Sequence, residues 1–190
     1  YKVMERIRAK YPDVLIQACA SGGGRVEFGA MKYFNEVWTS DNTEALSRTR
    51  IQYGTSLFYP ATVMGSHVSG MELQPKRMDD AEKRFARKAV ASYKAYRDIV
   101  MEGDLYRIGT PYDDTGYYGM MYVSKDKKKA VLFTYCIRYQ SRTLIPKFRL
   151  HGLDAKTRYT VREQNTDKKR FWFDGGTCLL YTSPSPRDRT

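Results

Sequence analysis

Two short stretches decide the first half of the fold: "VLIQACASGGGR" at residues 14–25 and "FNEVWTSDNTEAL" at residues 34–46. Each begins with an apolar run of the length of a buried parallel strand and continues into a polar loop. Helical patterns lie on either side, and strands that alternate with helices predict βα units around a parallel sheet. In such units the chemistry gathers where strands end, which is where Cys19 and Asp41 lie.

Helical patterns precede and follow these stretches. Residues 1–10 carry apolar side chains at helical spacing, and residues 42–52 have helical character. Beyond Gly70 the pattern predicts one long helix that Asp79 or Asp80 caps and Gly103 ends. Its apolar positions follow a period near 3.6 and are Phe85, Ala89, Tyr93, Tyr96 and Val100.

From Asp104 onward the pattern consists of strands separated by turn residues. The predicted strands are residues 104–110, 117–123, 130–137, 143–150, 158–163 and 170–173. This pattern predicts an antiparallel module, a β-sandwich, after the βα part. Two architectures in 190 residues leave too little chain for a complete barrel, which needs about 250 residues alone.

The charge balance permits an anionic partner but does not favour one. The chain has 33 Lys and Arg against 21 Asp and Glu, a net charge of +12. The longest basic cluster, residues 125–129, lies between two apolar runs and predicts a solvated hairpin turn. Because no nucleic-acid reader motif accompanies the charge, we predict no nucleic-acid partner.

Cysteines and histidines exclude other classes. Three cysteines, Cys19, Cys136 and Cys178, do not form a disulfide framework, and two histidines without paired-ligand motifs do not support a metal site. We therefore predict no metal and no cofactor. No apolar run is long enough to span a membrane, so no membrane partner is predicted either. The chain opens on Tyr1 rather than Met, which leaves localisation open.

Asp41 has two interpretations from the residues alone. Asp-Asn-Thr-Glu is a capping-box pattern, in which Asp41 accepts from a first-turn amide and Glu44 reaches back. Alternatively, Asp41 gives up and takes back a proton at a strand end. The two roles do not exclude each other.

The glycine-rich loop also has more than one interpretation from the residues alone. Its three glycines allow positive φ or a close backbone approach, as in an anion nest, a sugar contact or a tight turn. The lysine of a P-loop and the spacing of a dinucleotide fingerprint are missing. Cys19 by itself is typical of a buried small hydrophobe, because no His and Asn partner stands ready to activate it.

Residues 19–69 as a unit resemble the later barrel strands of the α-galactosidases of glycoside hydrolase family 36. The ordered combination Cys-x-Ser-Gly-Gly-Gly-Arg, Trp-Thr-Ser-Asp-Asn-Thr and His-Val-Ser carries the resemblance. Residues 102–113 and 151–163 resemble the C-terminal β-sandwich of that family. The resemblance implies an α/β plus all-β chain, a partial (β/α)8 TIM barrel followed by an antiparallel β-sandwich. Its parts would be barrel over 1–76, a connecting helix over 77–103 and the sandwich over 104–177.

The family resemblance also implies a chemistry. Family members hydrolyse terminal α-galactosides, such as raffinose-type oligosaccharides, by double displacement between two carboxyls about 5 to 5.5 Å apart. Asp41 matches the general acid/base, and we expect an anionic nucleophile and partial burial near Trp38 to raise its pKa. The positions matching the substrate pocket are Cys19, Ser21, Gly22, Gly23, Arg25 and Trp38.

Some of these positions keep a second interpretation. Arg25 fits a role in bracing the loop better than a sugar contact, and His67 fits a structural hydrogen bond as well as the pocket rim. The first-strand departures from the family pattern at Gln17 and Ala18 keep an α-N-acetylgalactosaminidase open, and Glu27 also replaces the more usual Asp. A rival of another class is a non-catalytic sugar-binding or basic interaction module.

Three family features are missing or foreign. The Lys-Trp-Asp segment that carries the nucleophile does not occur, so we expect these 190 residues alone to be inactive. A stretch of the family pattern is absent at Ser69–Gly70, where we expect an internal deletion. Residues 178–190 resemble a translated sequencing adapter and are expected to lie outside the fold. Family members commonly assemble as tetramers, which the resemblance implies for the parent protein.

Overall fold

The computed structural model describes residues 1–22, 24, 27–65, 75–138, 147–163, 171–174 and 179–180. The chain divides into two compact units, Tyr1–Lys94 and Ala95–Thr190. The α-helices are α1 (Lys2–Lys10), α2 (Ala45–Thr55) and α3 (Asp80–Glu102), with short 3-10 helices at Phe28–Lys32 and Ala61–Val63. Within the described ranges, none of the helices has both the length and the apolar character needed to cross a bilayer.

The parallel pairing predicted for the first unit is confirmed. Strands β1 (Gln17–Ala18) and β2 (Glu36–Val37) pair in parallel, with Gln17 opposite Glu36 and Ala18 opposite Val37. Met64 adds a parallel bridge to Val37 on the other side of β2. The carboxyl ends of all three segments therefore meet at one edge.

The first predicted strand is shorter than expected. Of residues 14–18, only Gln17 and Ala18 form sheet pairs. The reason is local, because Nη1 of Arg8 donates to the Val14 carbonyl at 2.6 Å and Nε donates to the Tyr33 carbonyl at 2.7 Å. Arg8 thus ties α1 to the loop before β1, and the backbone there bonds to a side chain instead of a strand.

The two faces of this small sheet differ in chemistry. A buried apolar cluster of the unit consists of Val37, Tyr59 and Met64, and Ala18 packs against it. Because side chains alternate along a strand, the neighbours of Ala18 and Val37 point to the opposite face. There the Gln17 amide donates a hydrogen bond to the carboxylate of Glu36. One face is therefore apolar, and the other carries polar groups.

The long helix begins as predicted. Asp79 accepts from the Glu82 amide at 2.7 Å, and Glu82 accepts from the Asp79 amide at 2.9 Å, which is a reciprocal capping box. The predicted apolar stripe is correct at Val100, which is 1% exposed, and wrong at Phe85, which is 68% exposed. The described residues of the first unit offer Phe85 no cover.

In the second unit, β3 (Asp104–Ile108), β4 (Tyr117–Val123) and β5 (Ala130–Cys136) form an antiparallel sheet with β4 in the middle. Tyr118 stacks on Tyr135 with ring centroids 4.6 Å apart, and burial raises the pKa of Tyr135 above its usual range. The turn predicted at residues 125–129 joins β4 to β5 and closes with a Ser124 to Lys129 backbone bond of 2.9 Å.

Four short strands complete the described elements. Strand β6 (Lys147–Phe148) pairs with β9 (Leu179–Leu180), and β7 (Arg158–Val161) pairs with β8 (Phe171–Asp174), both antiparallel. The first part of the strand predicted over residues 143–150 lies outside the described residues. Strand β9 differs from the expectation that residues 178–190 take no part in the fold. Ladder bonds use only backbone groups, so a short apolar segment can pair whatever its origin.

Candidate active site at the ends of the parallel strands

The loop after β1 turns sharply at two residues with positive φ. Ser21 has φ 50° and Gly22 has φ 77°, and Gly22 is buried. A Cβ on Gly22 would lie 2.8 Å from the Asp41 amide nitrogen and 3.0 Å from Ser40 Cα. Glycine is therefore required at this position, both for the backbone conformation and for the approach of the next loop. The close approach predicted for the glycine loop is made at Gly22, and its partner is the backbone at Asp41.

The carboxyl of Asp41 is held by the tryptophan three residues before it. Nε1 of Trp38 donates to Oδ1 of Asp41 at 2.9 Å. Trp38 is half-buried, whereas Asp41 is exposed, so the partial burial expected for Asp41 is not found in the described structure. The contact fixes one carboxyl oxygen and leaves the other side of the group accessible.

The capping role predicted for Asp41 is wrong. The α2 helix begins at Ala45, and its N-cap is Glu44, which accepts from the amides of Leu46 at 2.9 Å and Ser47 at 2.6 Å. The hydrogen bond from the Ser47 side chain and those amides lower the pKa of Glu44. The predicted helix start at residue 42 is therefore three residues early.

A small turn explains why α2 begins at Ala45 and not at residue 42. Ser40 Oγ accepts from the Asn42 amide at 3.1 Å, and Asn42 Oδ1 accepts from the Glu44 amide at 3.0 Å. These two side chains accept from the backbone amides just before the helix, so Asp41 does not act as the cap.

Arg48 is the residue of this site that sequence reasoning missed. Its guanidinium lies over the Trp38 ring, 5.5 Å from the centroid, and Nη1 donates to the Ser40 carbonyl at 3.0 Å. The available signal was weak: an arginine in the first turns of a helix that follows an aromatic residue and a polar loop. Only the turn at residues 40–44 brings Arg48 back over Trp38.

The third parallel segment also ends against Trp38. A Cβ on Gly65 would lie 3.0 Å from the Val37 carbonyl oxygen, 3.4 Å from Cε3 of Trp38 and 3.5 Å from Nε2 of Gln17. Next to Trp38, Thr39 is buried, and its Oγ1 has no hydrogen-bond partner in the part of the chain that the structure describes. Trp38, which directly follows β2, therefore lies against Gly65 at the end of the Met64 segment.

The other predicted site residues divide into two groups. Cys19 follows β1 directly and is an exposed free thiol, so its interpretation as a buried hydrophobe is wrong. Ser21 is exposed in the same loop. Gly23, Arg25 and His67 lie outside the described residues. The structure thus brings Gly22, Trp38 and Asp41 together, and among the residues it describes no cluster of His, Cys, Asp and Glu could hold a metal ion.

Family models match both units of the chain. Residues 1–71 match the model described as Melibiase, and residues 117–177 match the model of the glycosyl hydrolase family 36 C-terminal domain. The first unit is therefore similar to a melibiase, and the second unit to the C-terminal domain of glycosyl hydrolase family 36.

Individual relatives agree with the family. "Alpha-galactosidase 2" of Hypocrea jecorina is 33% identical over 205 residues, which takes in 94% of this chain and 26% of the relative. The solved α-galactosidase from Lactobacillus brevis has a TM-score of 0.82 at 30% identity, covering 98% of this chain and 29% of that chain.

A third relative was solved with an oligosaccharide. The alpha-galactosidase AgaA of Geobacillus stearothermophilus is 33% identical over 186 residues, which takes in 85% of this chain and 25% of the relative. A variant of AgaA in complex with raffinose has a TM-score of 0.79 at 29% identity and covers 97% of this chain and 29% of that one. The chain spans about a quarter of the length of the curated relatives it matches.

Proposed function

We propose that the whole protein containing this chain is a retaining α-galactosidase that hydrolyses terminal α-galactosides, such as raffinose-type oligosaccharides. The observation that carries the proposal is the Asp41 carboxyl, held by the Trp38 indole at 2.9 Å, at the ends of parallel strands and beside Gly22. Loops at the carboxyl ends of barrel strands are where such enzymes carry their catalytic groups. The named relatives are alpha-galactosidases.

In this proposal Asp41 is the general acid/base. In the first step the protonated Asp41 gives its proton to the glycosidic oxygen while the nucleophile attacks the anomeric carbon. In the second step the Asp41 carboxylate takes a proton from the water that releases the sugar from the nucleophile. The exposure of Asp41 leaves its free oxygen open to both the leaving group and water.

The nucleophile is proposed to lie outside these residues. The 190-residue sequence contains no Lys-Trp-Asp segment. Without a nucleophile the covalent glycosyl intermediate cannot form, so the chain alone has no turnover. Asp41 therefore supplies half of a catalytic pair.

The galactose pocket is proposed to form around the two loops. Cys19 and Ser21 are exposed beside β1 and available to a sugar, while Gly22 is the point where the loops touch. The raffinose complex of AgaA supports an oligosaccharide as the ligand of this kind of site. The proposed pocket residues are Cys19, Ser21, Gly22, Gly23, Arg25 and Trp38.

The same proposal includes a partial (β/α)8 barrel, in which β1, β2 and the Met64 segment are consecutive strands, followed by a β-sandwich over residues 104–177. The parallel order β1, β2, Met64 supports the barrel part. An internal deletion is supported by the match to AgaA, because the alignment over 186 residues is longer than the 85% of this 190-residue chain that it takes in. We place the deletion near Ser69–Gly70, where the family pattern is interrupted.

The test is hydrolysis by the full-length gene product. We expect it to release galactose from raffinose and from an aryl α-galactoside, with the α-anomer as the first product by NMR, because double displacement retains configuration. Asp41→Asn should lower kcat/KM for raffinose by about 100-fold or more, the range of acid/base catalysis. The matched control is Asp13→Asn, an exposed aspartate in the loop before β1, which should leave the rate unchanged.

Other outcomes decide between the alternatives. A preference for aryl α-N-acetylgalactosaminide over the galactoside would replace the proposed substrate. Binding of galactosides by the 190-residue chain that is unaffected by Asp41→Asn, together with no hydrolysis by the full-length protein, would replace the enzyme by a binding module.

A further inference from the structure

Arg48 contacts the loop that carries Asp41 at the Ser40 carbonyl and at the Trp38 ring. We propose that Arg48 is a positioning residue that fixes the orientation of the Asp41 carboxyl, so that Oδ2 of Asp41 carries the proton that is transferred. This inference rests on the proposed role of Asp41 and adds a residue to it. The evidence is the chain of contacts from Arg48 through Ser40 and Trp38 to Asp41.

The first contact fixes the backbone. Nη1 of Arg48 donates to the carbonyl of Ser40 at 3.0 Å, and that carbonyl belongs to the peptide group immediately before Asp41. The same peptide also lies against Gly22, whose position admits no Cβ. The backbone at Asp41 is thus in contact with Gly22 and hydrogen-bonded to the guanidinium through the Ser40 carbonyl.

The second contact fixes the side chain. The guanidinium lies 5.5 Å from the centroid of the Trp38 ring, a cation–π arrangement that favours one orientation of the indole. The same indole donates from Nε1 to Oδ1 of Asp41 at 2.9 Å. Since the indole N–H is only a donor, Oδ1 must act as an acceptor there, and the transferable proton belongs on Oδ2.

Arg48 is itself held in place by the start of α2. The Arg48 amide donates to the carbonyl of Glu44 at 2.9 Å, and the Glu44 side chain caps the first turn. The guanidinium is therefore mounted on a capped helix, and its planar fork loses little freedom on binding the loop. Sites supported by a regular element hold catalytic groups more accurately than loops alone.

Removal of Arg48 should impair proton transfer and leave sugar binding and nucleophilic attack in place. A leaving group of low pKa departs without an acid, whereas the sugar alcohol of raffinose needs one. The substrate ratio therefore separates a positioning role from a general structural one, which would lower both rates together.

The experiment uses the full-length gene product with Arg48→Met and Arg48→Lys. We expect Arg48→Met to lower kcat/KM for raffinose by about tenfold or more, a fraction of the effect of removing the acid itself. For 2,4-dinitrophenyl α-galactoside we expect kcat/KM within about threefold of wild type, because that step needs no acid. Arg48→Lys should lie between, since it keeps the charge and loses the planar fork.

A second signature comes from the step that uses Asp41 as a base. With the dinitrophenyl substrate, kcat and KM of Arg48→Met should fall together, because the glycosyl intermediate accumulates. Added azide should restore kcat, because an anionic nucleophile needs no base. The control is Arg50→Met, an exposed arginine two positions along α2 that does not share a face with Arg48. It should match wild type in every one of these measurements.

Equal losses on both substrates, or wild-type behaviour of Arg48→Met, would overturn the inference while the galactosidase stands. If Arg48→Met does not fold, Arg48→Lys gives the same comparison, and equal losses on both substrates in that variant overturn it. If the wild-type protein hydrolyses neither substrate, the proposed function fails and the positioning role of Arg48 fails with it.

Discussion

The two units of this chain are stabilised in different ways. In the second unit β4 is buried from Tyr118 to Val123 between β3 and β5, and its side chains fill the interior. In the first unit a small buried cluster of Val37, Tyr59 and Met64 packs beside the parallel strands, and side chain to backbone hydrogen bonds join loops near it. The antiparallel sheet of β3, β4 and β5 is therefore stabilised by burial, and the candidate site is stabilised by a small number of directed polar contacts.

This difference has a functional meaning. In the proposed function the loop at Asp41 must expose its carboxyl to substrate and water, so it cannot be fixed by burying that group. Instead, the Trp38 indole donates a hydrogen bond to the Asp41 carboxyl, and the Arg48 guanidinium lies over the Trp38 ring. Substitutions in the sheet of β3, β4 and β5 should accordingly lower stability, and substitutions in the loops at Gly22 and Asp41 should lower activity.

The largest expected effect on stability is in the sheet. Met120 is 1% exposed, and Met120→Ala should lower the free energy of unfolding by about 2 to 5 kcal/mol, because it removes buried methylenes and leaves a cavity. Urea unfolding followed by near-UV circular dichroism would measure this. The matched control is Leu15→Ala in the first unit, where an 83% exposed side chain should change the value by no more than about 0.5 kcal/mol. Equal losses of unfolding free energy in the two variants would contradict the conclusion that burial stabilises the sheet.

The next largest effect should appear at the contact between the two loops. Gly22→Ala places a Cβ 2.8 Å from the Asp41 amide on a residue with φ 77°, and a left-handed residue alone costs about 1 to 2 kcal/mol. Because the strain falls on the Asp41 backbone, we expect kcat/KM of the full-length protein for raffinose to fall by more than tenfold.

The control for this substitution is Gly29→Ala. Its added Cβ would meet the Tyr1 hydroxyl at 3.1 Å and Glu27 Oε1 at 3.3 Å, both of them ends of flexible side chains. We expect wild-type kinetics for Gly29→Ala. A comparable loss in that variant would mean that the first unit responds to any added methyl group, and not to the contact with Asp41.

A smaller effect concerns pH and the start of α2. The pKa of Glu44 is lowered in the folded chain, chiefly by the hydrogen bond from the Ser47 side chain. A lowered folded pKa stabilises the fold above the unfolded value of about 4.3, and this contribution is lost as the pH falls through the folded value. The difference in urea midpoint between wild type and Glu44→Gln should therefore shrink as the pH is lowered from 6 to 3. A difference that does not change with pH would contradict the ionised cap.

Much of the fold followed from local pattern. Strands β3, β4 and β5 alternate or run apolar between clear turn residues, and Asp79 with Glu82 forms the predicted cap of α3. The burial of Phe85 was wrong because periodicity gives a face and not the element that covers it.

The site was harder to predict for a physical reason. The Asp-Asn-Thr-Glu pattern fits a cap at Asp41, yet competing side-chain bonds from Ser40 and Asn42 move the helix start to Ala45. These bonds compete at short range, and a difference of about 1 kcal/mol decides between them. The position of Arg48 over Trp38 depends on that outcome, so residue patterns alone did not reveal it.

The smallest expected effect concerns the hydroxyl of Thr39, between Trp38 and Ser40. It is 7% exposed, and its Oγ1 has no partner among the described residues, so removing the hydroxyl removes a desolvation cost without breaking a bond. Thr39→Val should raise the free energy of unfolding of the chain by up to about 1 kcal/mol. The matched control is Ser56→Ala, where an equally buried hydroxyl donates to the Tyr53 carbonyl at 2.6 Å and its loss should lower stability by about 0.5 to 1.5 kcal/mol. Opposite signs in the two variants would show that directed polar contacts, and not burial of hydroxyls as such, stabilise the first unit. A fall in the free energy of unfolding for Thr39→Val as large as that for Ser56→Ala would mean that the Thr39 hydroxyl has a hydrogen-bond partner in solution. The hydroxyl would then belong to the hydrogen-bonded groups around Trp38 and Asp41.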